Sequence, residues 1–165
     1  MADLSVIDFI EAAESIGVRL ELVAGTPYWE VMPGRRHHDA LMGVRDSFVR
    51  SGPGFCCYVE LLIRFPDGSL KTPDLSIFCE RPSEPKGAVT TVPEAVVEIV
   101  SPGFERKDLE IGPPFYLAQG VRDVVVSDPR SRVVTHFRVG SVETFTAPVS
   151  IKLACGCTVD VPVTD

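Results

Sequence analysis

Two acids stand where a charge is costly. Asp74 follows Pro73 at the entrance of the apolar run Leu75-Ser76-Ile77-Phe78, and Glu98 is the only ionisable group in Ala95-Val96-Val97-Glu98-Ile99-Val100, which closes into Ser101-Pro102. A carboxylate at the rim of a buried strand loses hydration unless something compensates it, and a divalent cation between two such acids is one compensation. The pair is therefore a metal-site candidate. Pro-Asp at a strand entrance is also a common turn or cap, whereas Glu98 would otherwise need a Lys or Arg partner.

Other residues could serve the same chemistry. Glu21, in the alternating stretch Arg19 to Val23, and Glu30, in the next extended stretch, could each add an acid, although alternating strand charges usually face solvent. Arg35-Arg36-His37-His38 is the densest cationic run and lies at an expected helix start, where it could meet phosphate or simply be a solvated helix end. The Ser101 hydroxyl could bond to a metal-bound carboxylate, or Ser-Pro could merely end the strand. Cys56-Cys57 and Cys155-Gly156-Cys157 do not have the spacing of a structural zinc site and read as buried thiols. Gly-rich phosphate loops, a Ser-His-Asp order and a dinucleotide fingerprint are all missing from the sequence.

The elements that must position these groups follow from hydrophobic period and turn chemistry. Ser5 to Ile16 reads as a short amphipathic helix before Gly17, and Arg19 to Val23 with Tyr28 to Met32 as a hairpin about Ala24-Gly25-Thr26-Pro27. A second helix is expected over Arg35 to Arg50. Strands are expected over Cys57 to Phe65 and Leu75 to Cys79, joined as a hairpin across Pro66-Asp67-Gly68-Ser69. After a loop from Glu80 to Pro93 comes the doubly apolar strand Ala95 to Val100, then a short helix Pro114 to Gln119 begun by the proline pair. Asp123 to Ser127 and Val133 to Val139 are further strands, and Ser150 to Val163 a final extended pair. The fold class is mixed α/β (α+β), a mixed central sheet flanked by helices.

At 165 residues with 45% hydrophobic and 24% charged, the chain is expected to be one globular domain over residues 1–165. No apolar run reaches the ~18–20 residues that span a bilayer. The N-terminus lacks the basic and apolar regions of a signal peptide, so a cytoplasmic location with reduced cysteines is expected. The formal charge of −7 opposes a broad nucleic-acid surface, because such surfaces work through Lys and Arg neutralising phosphates. A nuclease that holds its substrate through bound metal and one local basic patch can still be acidic overall.

In order and spacing the chain resembles the Uma2 (DUF820) group of restriction-endonuclease-like proteins, within the PD-(D/E)XK nuclease superfamily. The resemblance runs through Glu21-Leu22-Val23-Ala24-Gly25, Trp29-Glu30-Val31-Met32-Pro33, His38, Pro73-Asp74-Leu75-Ser76-Ile77, Val97-Glu98-Ile99-Val100-Ser101-Pro102, Asp108, Tyr116, Ala118, Gly120-Val121 and Val126-Ser127-Asp128-Pro129. It implies a restriction-endonuclease-like core in which Asp74 and Glu98 hold Mg²⁺ (or Mn²⁺) for cleavage of DNA. Glu21 matches the more regular family acid, and His38 carries part of the resemblance.

One position departs from the family. Its lysine usually lies four positions beyond the aspartate that corresponds to Asp108, and here that place is Gly112, within Ile111-Gly112-Pro113-Pro114. Such a lysine orients the attacking water and stabilises charge on the phosphoryl group, and losing one electrostatic group of this kind costs ~10²–10³ in rate. Lys107, beside Arg106, is the nearest cation in sequence that could substitute, and Lys71 is the other. Two readings follow: an endonuclease using Asp74, Glu98 and Lys107, or a catalytically silent relative kept as a binding or assembly module. Pairing into a homodimer is an expectation from the fold, with Val133 to Val139 as an edge strand.

Overall fold

The computed structural model describes residues 5–31, 33–51 and 54–164, with the side chains of Glu30, Val31, Arg50 and Ser51 outside that description. Met32, Gly52 and Pro53, which the sequence places at a strand end and a turn, therefore lie outside the described residues.

Helix α1 (Val6–Ser15) starts at a capping box: the Asp8 amide donates to the Ser5 hydroxyl at 3.2 Å and the Ser5 amide donates to the Asp8 carboxylate at 2.8 Å. It lies against β1 (Val18–Val23), which forms the expected hairpin with β2 (Thr26–Val31), Glu21 opposite Tyr28. Helix α2 (Arg35–Ser51) puts Leu41, Val44 and Phe48 on one buried stripe.

The central sheet has six strands in the order β10-β9-β8-β7-β6-β3, where β3 is Cys56–Val59, β6 Leu75–Phe78, β7 Ala95–Ile99, β8 Asp123–Asp128, β9 Val133–Arg138 and β10 Ser141–Thr146. Only β7 and β8 run parallel among these pairs, so the segment between them must cross over. It does so through a π-helical turn at Lys107–Ile111 that runs into α3 (Gly112–Ala118). Alternation along β7 then sorts side chains between the two faces. Val97 and Ile99 join the core under α2 together with β11 (Val149–Lys152) and β12 (Thr158–Val161), whereas Val96 and Val100 join the core containing Tyr116 and Val121. Glu98 shares the parity of Val96 and Val100 and faces Tyr116 of α3.

The expected strand Cys57 to Phe65 is divided. At Glu60 the backbone turns to φ +50°, so β3 stays in the central sheet while β4 (Ile63–Arg64) enters a smaller sheet of order β2-β1-β5-β4. The Asp67-Gly68 turn accordingly joins β4 to β5 (Leu70–Lys71) and not to β6. Gly68 takes φ +86°, which glycine adopts readily, and Asp67 accepts from the Ser69 amide at 2.9 Å. This small sheet brings Glu21 and Lys71 to the mouth of the central one. The outer strand β10 was not foreseen from the sequence; it takes the edge and leaves β9 inside.

Candidate active site

Asp74, Glu98 and Glu21 arrive from three strands. Asp74 stands just before β6, Glu98 is on the neighbouring β7, and Glu21 comes from β1 through the pairing of Leu22 with Leu70. The Asp74 amide donates to Glu98 Oε2 at 3.1 Å, and the Ile99 amide donates to Asp74 Oδ2 at 2.8 Å, which fixes the two acids side by side.

Cations surround them unequally. Asp74 Oδ1 accepts from Arg19 Nη1 at 3.1 Å, and Arg19 also pairs with Glu60. His37 Nε2 lies 3.1 Å from the same Asp74 oxygen, within ion-pair distance but out of hydrogen-bond alignment. Glu21 Oε2 faces two ammonium groups, Lys71 Nζ at 2.7 Å and Lys107 Nζ at 3.5 Å, while its Oε1 accepts from the Thr72 amide at 3.1 Å. Lys71 also sits 5.1 Å from the Tyr116 ring centroid and 5.8 Å from that of Phe115, a cation–π arrangement. Glu98 Oε1 accepts from the Tyr116 hydroxyl at 2.5 Å.

The acids differ in charge as a result. Burial pushes the Glu98 carboxyl up and the Asp74 charge pushes further, outweighing the opposing pull of Lys71 and Lys107, so its pKa stands at about 8. Part of Glu98 is accessible to solvent, but its oxygens are enclosed by the Asp74 amide and Tyr116. Burial also opposes ionisation of Glu21, yet Lys71 and Lys107 together outweigh it and hold the pKa at about 2. Asp74 is lowered from the ordinary aspartate value: His37, Arg19 and the Ile99 amide outweigh its burial. Burial and the Glu98 charge push the Tyr116 hydroxyl well above its ordinary value, so it remains a donor.

The wide helical turn explains how Lys107 reaches this place. In an α-helix residue 108 would stand over residue 112, but here the Gly112 amide donates to the Lys107 carbonyl, five residues back. That wider turn shifts the phase by one residue and sets Lys107 above Gly112, the position where the resemblance places a lysine. The Lys107 side chain is 19% exposed, against 4% for Lys71.

The remaining sequence candidates are distributed as follows. Ser101 Oγ lies 3.1 Å from His37 Nδ1, and its amide donates to Asp108 Oδ2 at 3.1 Å. His38 is half-buried with its ring edge-on to that of His37 at 5.9 Å between centroids, and it is the neighbouring His37, not His38, that reaches Asp74. The Glu30 backbone pairs with Arg19 across the hairpin, and its side chain lies outside the described residues. Arg19 is a site neighbour that the sequence analysis does not single out, and His37 enters there only within the cationic run Arg35 to His38 and not as a partner of Asp74; both had a signal. Arg19 is two residues from Glu21 and thus on the same strand face, and His37 continues the α2 stripe of Leu41, Val44 and Phe48.

Asp74 and Glu98 suit a hard divalent cation. Among the described residues no three or more His, Cys, Asp or Glu are grouped to cage a metal, but Mg²⁺ is commonly held by one or two carboxylates plus water and substrate phosphate. Burial first, and the neighbouring Asp74 charge second, keep a charge on Glu98 costly until a cation is added, and both acids offer the oxygen donors that Mg²⁺ takes.

Known proteins share this fold. The chain is similar to a DUF820 protein from Anabaena variabilis, described as a putative nuclease, whose crystal structure superposes with a TM-score of 0.68 at 22% identity over 83% of this chain and 82% of that one. That likeness shows a shared fold alone. No curated protein matches. The family Uma2, described as "Putative restriction endonuclease", matches residues 7–156, nearly the whole chain, and the protein therefore belongs to the Uma2 family.

Proposed function

We propose that the protein is a Mg²⁺-dependent endonuclease acting on DNA, in which Lys107 serves in the place that Gly112 leaves without a cation. The observation that carries this reading is the convergence of Lys107 and Lys71 on Glu21, beside the acid pair Asp74 and Glu98. Asp74 and Glu98 would hold the ion, which when bound acidifies water and neutralises charge developing on the scissile phosphate. The chain's own groups supply the rest. Lys107, the more accessible of the two ammoniums, contacts the reacting phosphate or the water that attacks it. Lys71 is buried and fixes Glu21, which holds both ammoniums at the site. Tyr116 donates to Glu98 and keeps that carboxylate turned toward Asp74. Ile99 does the same for Asp74 through its backbone amide.

One observation favours a second reading. Asp74 Oδ1 is already faced by Arg19 and His37, so the protein balances this charge by itself, as a silent binding or assembly module would. Incubation with plasmid and single-stranded DNA in Mg²⁺ and in Mn²⁺ separates the two. The nuclease reading expects nicking by the wild type that Glu98→Gln abolishes. Equal nicking by both proteins, or none by the wild type, contradicts it.

A further inference from the structure

Beside the carboxylates lies a cavity of about 250 Å³ lined by Arg35, Arg36 and His37 of α2 together with Val100, Pro102, Pro129 and Arg130. Three features set it apart in a chain of net charge −7. First, Arg35, Arg36 and Arg130 come from two separate elements, the start of α2 and the turn after β8. Arg35 pairs with Asp39 at 2.9 Å, and Arg130 makes no close ion pair among the described residues although Asp128 and Glu105 both feel its charge. Second, the Arg130 turn is firmly tied: Asp128 accepts from the Arg130 amide at 2.9 Å and from the Ser131 hydroxyl at 2.6 Å. Third, Val100, Pro102 and Pro129 add apolar lining to the arginines.

His37 connects this cavity to the acid pair. Its side chain is only 6% exposed, it lines the cavity, and its Nε2 is 3.1 Å from Asp74, while Val100 and Pro102 continue the strand that carries Glu98. A ligand in the cavity is thus a near neighbour of one bound at Asp74.

We infer that this cavity is a nucleotide subsite, taking one unit of a DNA strand next to the bond held at Asp74 and Glu98. Guanidinium groups recognise phosphate through paired N–H donors, and apolar walls accept the flat face of a base or the sugar. The volume suits one nucleotide and not a duplex, so the subsite reads a strand locally. The choice of DNA as ligand rests on the proposed nuclease reading, and the geometry of the cavity does not.

Binding of a short fluorescein-labelled oligodeoxynucleotide, followed by anisotropy in EDTA so that no cleavage occurs, tests the subsite separately from the chemistry. The full chain is compared with the double variant Arg36→Ala, Arg130→Ala, and with Arg81→Ala, Lys86→Ala as a control that removes two exposed charges from the Glu80 to Pro93 loop. The subsite predicts about tenfold weaker binding by the first variant, with a salt slope reduced by about one for each phosphate that the arginines neutralise, and near wild-type binding by the control. Equal binding by wild type and the Arg36, Arg130 variant overturns it, as does absence of measurable binding by the wild type. Nicking, assayed in parallel in Mg²⁺, keeps the two claims apart. Oligonucleotide binding that depends on the arginines without nicking supports the subsite and defeats the nuclease, whereas nicking with arginine-independent binding defeats the subsite alone.

Discussion

At Glu98, burial and the neighbouring Asp74 both favour the protonated acid, and at Glu21 two lysines favour the ionised one. The consequences for stability run in opposite directions. An unperturbed glutamate ionises near 4.5, so between about pH 4.5 and about 8 the unfolded chain releases a proton that folded Glu98 keeps, and stability is lost as pH rises through that window. Glu98→Gln removes the effect. In EDTA, the Tm of Glu98→Gln minus that of the wild type should therefore grow by several degrees from pH 4.5 to pH 8, and a flat difference would contradict the placement of Glu98. Glu21 contributes stability above pH 4.5 that is lost as pH falls toward about 2. Its main partner is Lys71, so Lys71→Met leaves a buried carboxylate with a weaker partner and should cost about 3 kcal/mol, read from the urea midpoint.

Among the elements, the crossover between β7 and β8 has the largest effect on what the site can do. The proline pair starts α3, as the sequence implied, but the preceding π-helical turn was not legible: it depends on a five-residue hydrogen bond that no periodicity announces. Most other elements were legible because each carried a period or a turn residue. The acid pair was legible for a different reason: Glu98 breaks an otherwise apolar strand. The split of the strand at Glu60 was hidden, since it rests on one positive φ in a residue that rarely takes it. The meeting of Arg19 and His37 at Asp74 was harder to read, since it forms only when β1 and α2 are set against β6. A buried junction at the other end of the sheet was equally hidden. Asp123, fully buried, accepts from Arg138 Nε at 2.6 Å and from the Ala154 amide at 2.8 Å, and lies 2.8 Å from His136 Nε2, joining β8, β9 and the β11–β12 hairpin. Asp123→Ala should lower stability by about 3 kcal/mol in urea unfolding without altering the acid pair. A change below about 1 kcal/mol would show that this junction is not a strut of the sheet.

For the whole molecule, two sheets meet so that the acid pair at the central one lies beside Glu21 of the small sheet, on which Lys71 of that sheet and Lys107 of the crossover converge. At this mouth Arg19, Lys71 and Lys107 stand among Asp74, Glu98, Glu21 and Glu60, so local cations accompany the buried acids in a chain of net charge −7. Lys107 and Lys71 hold different stations in this arrangement. Lys71 is enclosed and structural, and Lys107 is the reachable cation. The single-turnover rate of plasmid nicking in Mg²⁺ by Lys107→Met, with its Tm measured alongside, tests that division most directly. The expected result is a rate loss of ~10²–10³ with a small change in Tm. A Lys107→Met protein that nicks at the wild-type rate would contradict it.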